Sequence, residues 1–198
     1  MSNLELAVAG TRSRPIIAAK YFTNYRQYDL QGNAGFYQGN FTAGIGWAGN
    51  IKDAGFKGEA QFHASQKDGL SRLLLVLEGD YIFKKGWYVS TTFLFNDKGW
   101  DSPLDSLNTL VFQVSPRNLM PTKWNFLVNT SKEITPILSG SMSVVYAPGT
   151  NLLILFPTLR YNMQTNLDLD FVWQSFFASY NRFDALSHIG FLRAKWSF

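Results

Sequence analysis

The last ten residues, Ile189-Gly190-Phe191-Leu192-Arg193-Ala194-Lys195-Trp196-Ser197-Phe198, alternate strictly and stop on an aromatic. Counting back from Phe198 in twos gives Trp196, Ala194, Leu192 and Gly190, while Ser197, Lys195 and Arg193 fall between them. Successive side chains of a β-strand leave on opposite faces, so this run places an apolar row on one side and two cations on the other. A strand of that kind fits above a soluble core or within a barrel wall. The rest of the chain has to decide.

The same two-residue period recurs along most of the sequence, with no clear helical period. Its clearest instance is the run 167–177, where Leu167, Leu169, Phe171, Trp173 and Phe177 oppose Asp168, Asp170 and Gln174. Trp124, Phe126 and Val128 oppose Lys123, Asn125 and Asn129; Leu138, Met142, Val144 and Tyr146 oppose Ser139, Ser141 and Ser143. Phe56, Ala60 and Phe62 oppose Lys57, Glu59, Gln61 and His63, and Leu73, Leu75, Leu77 and Tyr81 oppose Glu78 and Asp80. Further upstream, Tyr37, Phe41, Ile45 and Trp47 read as one row against Gln38, Asn40, Thr42 and Gly44. The stretch from Ile134 to Leu159 carries no charge and is long enough to span a bilayer as a helix. Pro136, Pro148-Gly149-Thr150-Asn151 and Pro157 interrupt it, however, and the serines alternate, which predicts two strands and a hairpin.

Aromatic residues make up 16% of the 198-residue chain and charged residues another 16%, against roughly 25% charged in an average globular protein. Yet mean hydropathy is only −0.09, because polar and apolar residues cancel along each run. A barrel wall facing hydrocarbon needs that combination; the competing reading is a soluble β-sandwich with an aromatic core. With no cysteine, neither disulfides nor thiolate metal sites are available. A net charge of +4 without a Lys/Arg run longer than two gives no basic groove for nucleic acid. Glu5, Arg12 and Arg14 break any signal-peptide pattern at the start, so an exported protein would be represented here as a mature chain or a fragment.

The terminal run ending in Phe198, with Trp196 two residues earlier, resembles the C-terminal signal strand of bacterial outer-membrane β-barrels, which the barrel-insertion machinery reads. The resemblance implies an all-β fold: an antiparallel, transmembrane, up-and-down barrel of roughly 10–12 strands in this chain, either complete or the C-terminal part of a larger barrel. It implies a porin-like channel for passive diffusion of small hydrophilic solutes, or a closed barrel serving as a structural or partner-binding subunit of the envelope. Implied partners are outer-membrane lipid and lipopolysaccharide, the insertion machinery, and either other envelope proteins or further copies of the chain. No enzymatic activity, cofactor, metal or nucleic acid is expected.

With Phe198 on the periplasmic side, short turns are expected at 161–165, 132–136, 84–86, 49–55 and 11–15. External loops are expected at 180–185, 147–151, 97–121, 66–70 and 27–35, the longest being 97–121. Tyr161, Phe198, Trp87, Tyr81, Trp47 and Trp124 sit at strand ends, as interfacial girdles require. The tally is about eleven strands if 4–10 is one of them, an awkward odd number for a bacterial barrel.

The polar face would carry the candidate lumen-lining charges Lys57, Glu59, Glu78, Asp80, Lys123, Arg160, Asp168, Asp170, Arg193 and Lys195, with Lys20 on the same face. Both signs are present. They either pair into an interior network, as charges in a narrow barrel must, or line a channel and set its preference. Catalytic groups are few: the only histidines are His63 and His188. Ser187 and His188 are neighbours on a strand and therefore point to opposite faces, which disqualifies them as a nucleophile–base pair with Asp184 behind. His63 is expected to hydrogen-bond on the polar face. The glycines Gly32, Gly35, Gly39, Gly44, Gly46 and Gly49 accompany a strand rather than a helix start, and so relieve crowding instead of cradling phosphate.

Overall fold

The computed structural model of the chain describes residues 2–11, 14–37, 39–64, 71–103, 115, 118–179 and 183–197. They form one antiparallel sheet of twelve strands in chain order. These are β1 (Ser2–Thr11), β2 (Arg14–Tyr25), β3 (Tyr28–Tyr37), β4 (Asn40–Ile51), β5 (Ala54–His63), β6 (Arg72–Ile82), β7 (Trp87–Asn96), β8 (Trp124–Thr135), β9 (Leu138–Ala147), β10 (Leu152–Gln164), β11 (Leu167–Ser179) and β12 (Phe183–Trp196). Every strand hydrogen-bonds its sequence neighbours, and β1 and β12 each pair on one side only, so the sheet is not closed on itself. No helix long and apolar enough to cross a membrane occurs among the described residues.

Cross-strand partners share a face, so the registers define two surfaces. One line of partners runs Leu6–Ala19–Ala34–Ala43–Phe62–Leu73 through β1 to β6, entirely apolar. The opposite surface carries lines such as Lys57–Glu78–Thr92 and Ser139–Arg160–Asp170–Arg193. The apolar surface is the exposed one: Ile45 on the interior strand β4 is 62% exposed, and Phe126, Phe171 and Trp173 are exposed likewise. Buried residues gather on the polar surface instead, among them Leu74, Leu94, Asn96, Asn125, Leu152 and Asp170. A sandwich would have hidden the aromatic row between two layers. This sheet does the reverse.

The strand count departs from the sequence reading at one place. The segment 27–35 was expected to be a loop, but Tyr28–Tyr37 is β3, with Leu30, Ala34 and Phe36 on the apolar face and Asp29, Gln31 and Asn33 on the polar one. Its apolar row is weak because Gly32 and Ala34 are small. The turn that starts it, Arg26–Gln27, has both residues at positive φ (48° and 68°) without the glycine that usually advertises such a turn. The extra strand turns the odd tally into twelve and reverses the ends of the two hairpins before it. The end of β1 at Thr11 and the start of β2 at Arg14 therefore lie at the long-loop end, not with the short turns at 52–53, 83–86, 136–137 and 165–166. The row assigned to Tyr37 also changes: Tyr37 pairs with Asn40 and shares its polar face, because the chain reverses between them. Gln38 lies outside the described residues.

The long connection between β7 and β8 is pinned at its base. Asn96, fully buried, donates its Nδ2–H groups to Asn118 Oδ1 (3.1 Å) and the Met120 carbonyl (2.8 Å). Asn125, also fully buried, donates to the Thr122 carbonyl (2.8 Å) and hydrogen-bonds the Thr122 hydroxyl. Trp100 and Thr122 form a bridge between the two arms. Two buried amides thus fix the described residues 118–122 at the base of the connection.

Candidate functional site: the polar face

The charges singled out from sequence fall on one surface but in separate groups. On β5 and β6, Lys57 Nζ lies 3.1 Å from Glu78 Oε1 and 3.1 Å from Asp80 Oδ2, so one cation serves two carboxylates. On β10 to β12 the stoichiometry is inverted. Asp170, only 4% exposed, accepts Arg160 Nε–H at Oδ1 (2.8 Å) and Arg193 Nε–H at Oδ2 (2.8 Å), with Arg193 Nη2 also bonded to Oδ2. Direct cross-strand pairing of Arg160, Asp170 and Arg193 makes this possible. Asp168 accepts from Asn162 Nδ2 (3.0 Å) and faces Lys195 across the β11–β12 pair. Glu59 stands two residues along β5 from Lys57, in register with Gly46 and Val76. Lys123 sits at the loop base rather than in the wall, paired with Asp101 (3.3 Å) and poised over the Trp124 ring. Trp196 is on the exposed apolar face at the end of β12, and Phe198 lies outside the described residues.

Sequence reasoning did not foresee how the space between these groups is shaped. Toward the short-turn end, Ser131, Ser139, Ser141 and Thr158 line a hydroxyl-rich basin of about 320 Å³ next to Arg160 and Glu133. Toward the long-loop end, a cavity of about 430 Å³ lies over β2 to β6. Asn33, Tyr37, Thr42, Glu59, Gln61 and His63 give it polar atoms, and Ile16, Leu74, Val76 and Leu119 give it apolar walls. Leu119 comes from the β7–β8 connection, so that loop reaches across to strands far from its own in sequence. Nothing in the local pattern around Leu119 signals this; only the buried Asn96 and Asn125 that fix the loop base do.

His63 is 3% exposed on the polar face, as its alternation implied. His188 is not paired with Ser187, which stands opposite Phe176 on the other surface. It lies beside Ser175 on the apolar face: His188 Nδ1 is 2.9 Å from Ser175 Oγ, which also accepts the Trp173 indole N–H (2.9 Å). Ser175 is buried, 6% exposed, beneath these rings. The cluster closes a hydroxyl off from its apolar surroundings. Asp184 accepts from the Ala185 amide (2.9 Å). Among the described residues no three His, Asp or Glu side chains gather as a metal site. The arrangement offers ion pairs, hydroxyls and amides on one surface and exposed apolar side chains on the other.

In comparisons with known proteins, the chain matches no family model, no curated protein and no solved structure.

Proposed function

We propose that β1 pairs with β12 to close this sheet into a transmembrane barrel of the bacterial outer membrane, and that the barrel is a porin-like channel for small hydrophilic solutes. The observation that carries this reading is the two-faced sheet: exposed apolar residues on one surface across all parts of the sheet, with charged and hydroxyl groups on the other. Water gives no reason to expose Ile45, Phe126, Phe171 and Trp173 together, whereas hydrocarbon does. Strands of 10 to 14 residues are long enough to cross a tilted bilayer path.

Closure has support in the register. A continuous line of partners starts at Ser2, at the beginning of β1, and passes through Thr23, Leu30, Trp47, Gly58, Leu77, Phe93, Phe126, Tyr146, Leu153 and Phe177. It arrives at Ala185, near the beginning of β12 and so at the opposite end of the sheet. Barrels require such accumulated stagger, since tilted strands must meet again displaced along their length. β1 and β12 run antiparallel. In the register that sets Leu4 opposite Trp196, Leu6 meets Ala194, Val8 meets Leu192, and Glu5 stands opposite Lys195 on the polar face. Both rows then match, and the single acid of β1 meets a cation. Twelve strands leave more room than the eight that side chains alone can fill.

A second reading, a closed barrel acting as a scaffold, draws on the ion pairing of Lys57 and Asp170 and on the loop that reaches over the polar face. Two measurements decide. Leu6→Cys with Ala194→Cys, in a chain that has no other cysteine, is expected to form an intramolecular disulfide in refolded protein; exclusively intermolecular products would refute self-closure. Purified protein in planar bilayers is expected to give discrete conductance steps. A folded barrel, recognised by heat-modifiable gel migration, that never conducts would favour the scaffold.

A further inference from the structure

The geometry points to a binding site for a neutral polyhydroxylated ring, a solute the size of a monosaccharide, on the polar face of β3 to β5 beneath Leu119. This names a solute class for the proposed channel and rests on that reading.

The site is built on missing side chains. On the polar face β4 presents Gly44 and Gly46, flanked in register by Asn33 and Gln61 and by Gln31 and Glu59. A Cβ at Gly44 would overlap the Gln61 amide, and one at Gly46 would crowd the Gln31 amide. The two glycines are thus a floor over which carboxamides extend from both sides. Gln61 is held there by its own bond: its Nε2–H donates to Thr42 Oγ1, which donates to the Phe62 carbonyl (3.1 Å). That leaves the Gln61 carbonyl oxygen facing the glycine floor. The side chains of Asn33 and Glu59 make no hydrogen bond or ion pair with another described residue. Asn33 therefore offers an adjacent donor and acceptor, and Glu59 offers two acceptors, to whatever enters the cavity.

Neighbouring hydroxyls on a ring each donate and accept, and adjacent amide N–H and C=O groups complement them. The ring's C–H surface fits the apolar wall that Val76 and Leu119 provide. A purely apolar occupant would strip water from these polar groups and return no hydrogen bonds. Glu59 is the one Asp, Glu, Lys or Arg among the described residues lining the cavity, and its carboxylate disfavours an anionic solute. A volume of about 430 Å³ lies within the range of small-ligand sites.

The test is equilibrium dialysis of labelled glucose against refolded protein in detergent, with heat-modifiable migration reporting the fold. Saturable binding is expected, with no displacement by cyclohexanol, since a site built to hydrogen-bond several hydroxyls rejects a ring that carries only one. Asn33→Leu and Gly44→Val should each weaken binding at least tenfold, while Ile51→Ala on the exposed apolar face leaves it unchanged. If Gly44→Val does not fold, Asn33→Leu decides alone. Heat-modifiable protein that binds no glucose, binds it equally well in both variants, or binds cyclohexanol or glucuronate more tightly overturns the site and leaves the barrel standing. Protein that never shows a heat-modifiable form overturns both.

Discussion

Two charge clusters share one face of this sheet and solve the same problem in opposite ways. Around Lys57 a single ammonium answers two carboxylates, and its side chain remains 48% exposed. Around Asp170 two guanidinium groups answer a single carboxylate, and that carboxylate is almost wholly buried. Lysine is a hydrated point charge on a flexible stem, while arginine presents a planar fork that fixes its partner's geometry. The first cluster is therefore a wet, net-negative patch on β5 and β6. The second is a rigid, net-positive strut tying β10, β11 and β12 together. Identical alternation in sequence produced both; what differs is which sign is in the minority and how deeply it is set.

The contrast can be broken most forcefully at Asp170. Asp170→Ala removes the acceptor of several charge-assisted hydrogen bonds and leaves Arg160 beside Arg193, and is expected to cost about 2–3 kcal/mol of stability. Urea titration of vesicle-embedded protein, read by loss of the heat-modifiable band, would measure it; a change under a few tenths would show that the strut carries no stability. Arg193→Lys keeps the charge but loses the fork, and should cost about 1 kcal/mol in the same assay. Lys57→Ala is expected to cost only about 0.5 kcal/mol, the scale of exposed ion pairs. The smallest effect sharpens the comparison further. Raising salt to about 1 M, where screening acts within roughly 3 Å, should erase the Lys57→Ala penalty and leave most of the Asp170→Ala penalty. Equal salt sensitivity of the two variants would contradict the distinction drawn between them.

Much of the fold was legible because strand alternation is a local property. The run 167–177 shows both faces of β11 without any knowledge of its neighbours, and the polar-face placement of Lys57, Glu78, Asp170 and Arg193 follows from parity alone. β3 was missed because its signals are contextual. Gly32 and Ala34 are acceptable on an apolar face only when the strands beside them supply bulk, and Arg26–Gln27 adopts a left-handed turn without the usual residues. That one omission displaced Tyr37 and the first hairpin together, because the chain reverses between Tyr37 and Asn40 and a missed strand inverts the direction of every strand before it. The cavity over β4 was beyond reach for a different reason. Gly44 and Gly46 read as crowding relief, which they are, but the room they leave acquires meaning only when Asn33, Glu59 and Leu119 are brought around it by pairing and by a loop from elsewhere. The inverted stoichiometry of the two charge clusters was likewise hidden, because sequence ranks residues by face and not by distance.

For the barrel proposed above, the one-sided pairing of β1 and β12 would constrain the order of events during assembly. Each exposes a full row of amide hydrogens and carbonyl oxygens, and hydrocarbon has nothing to offer them. A sheet with unmatched rims could rest at a lipid surface, but moving it inward would strand those dipoles at a cost of several kcal/mol apiece. In the barrel proposed above, zipping the rims together and sinking into the bilayer would have to happen as one concerted passage, and any delay between the two would leave the rims open to the strands of a neighbouring molecule.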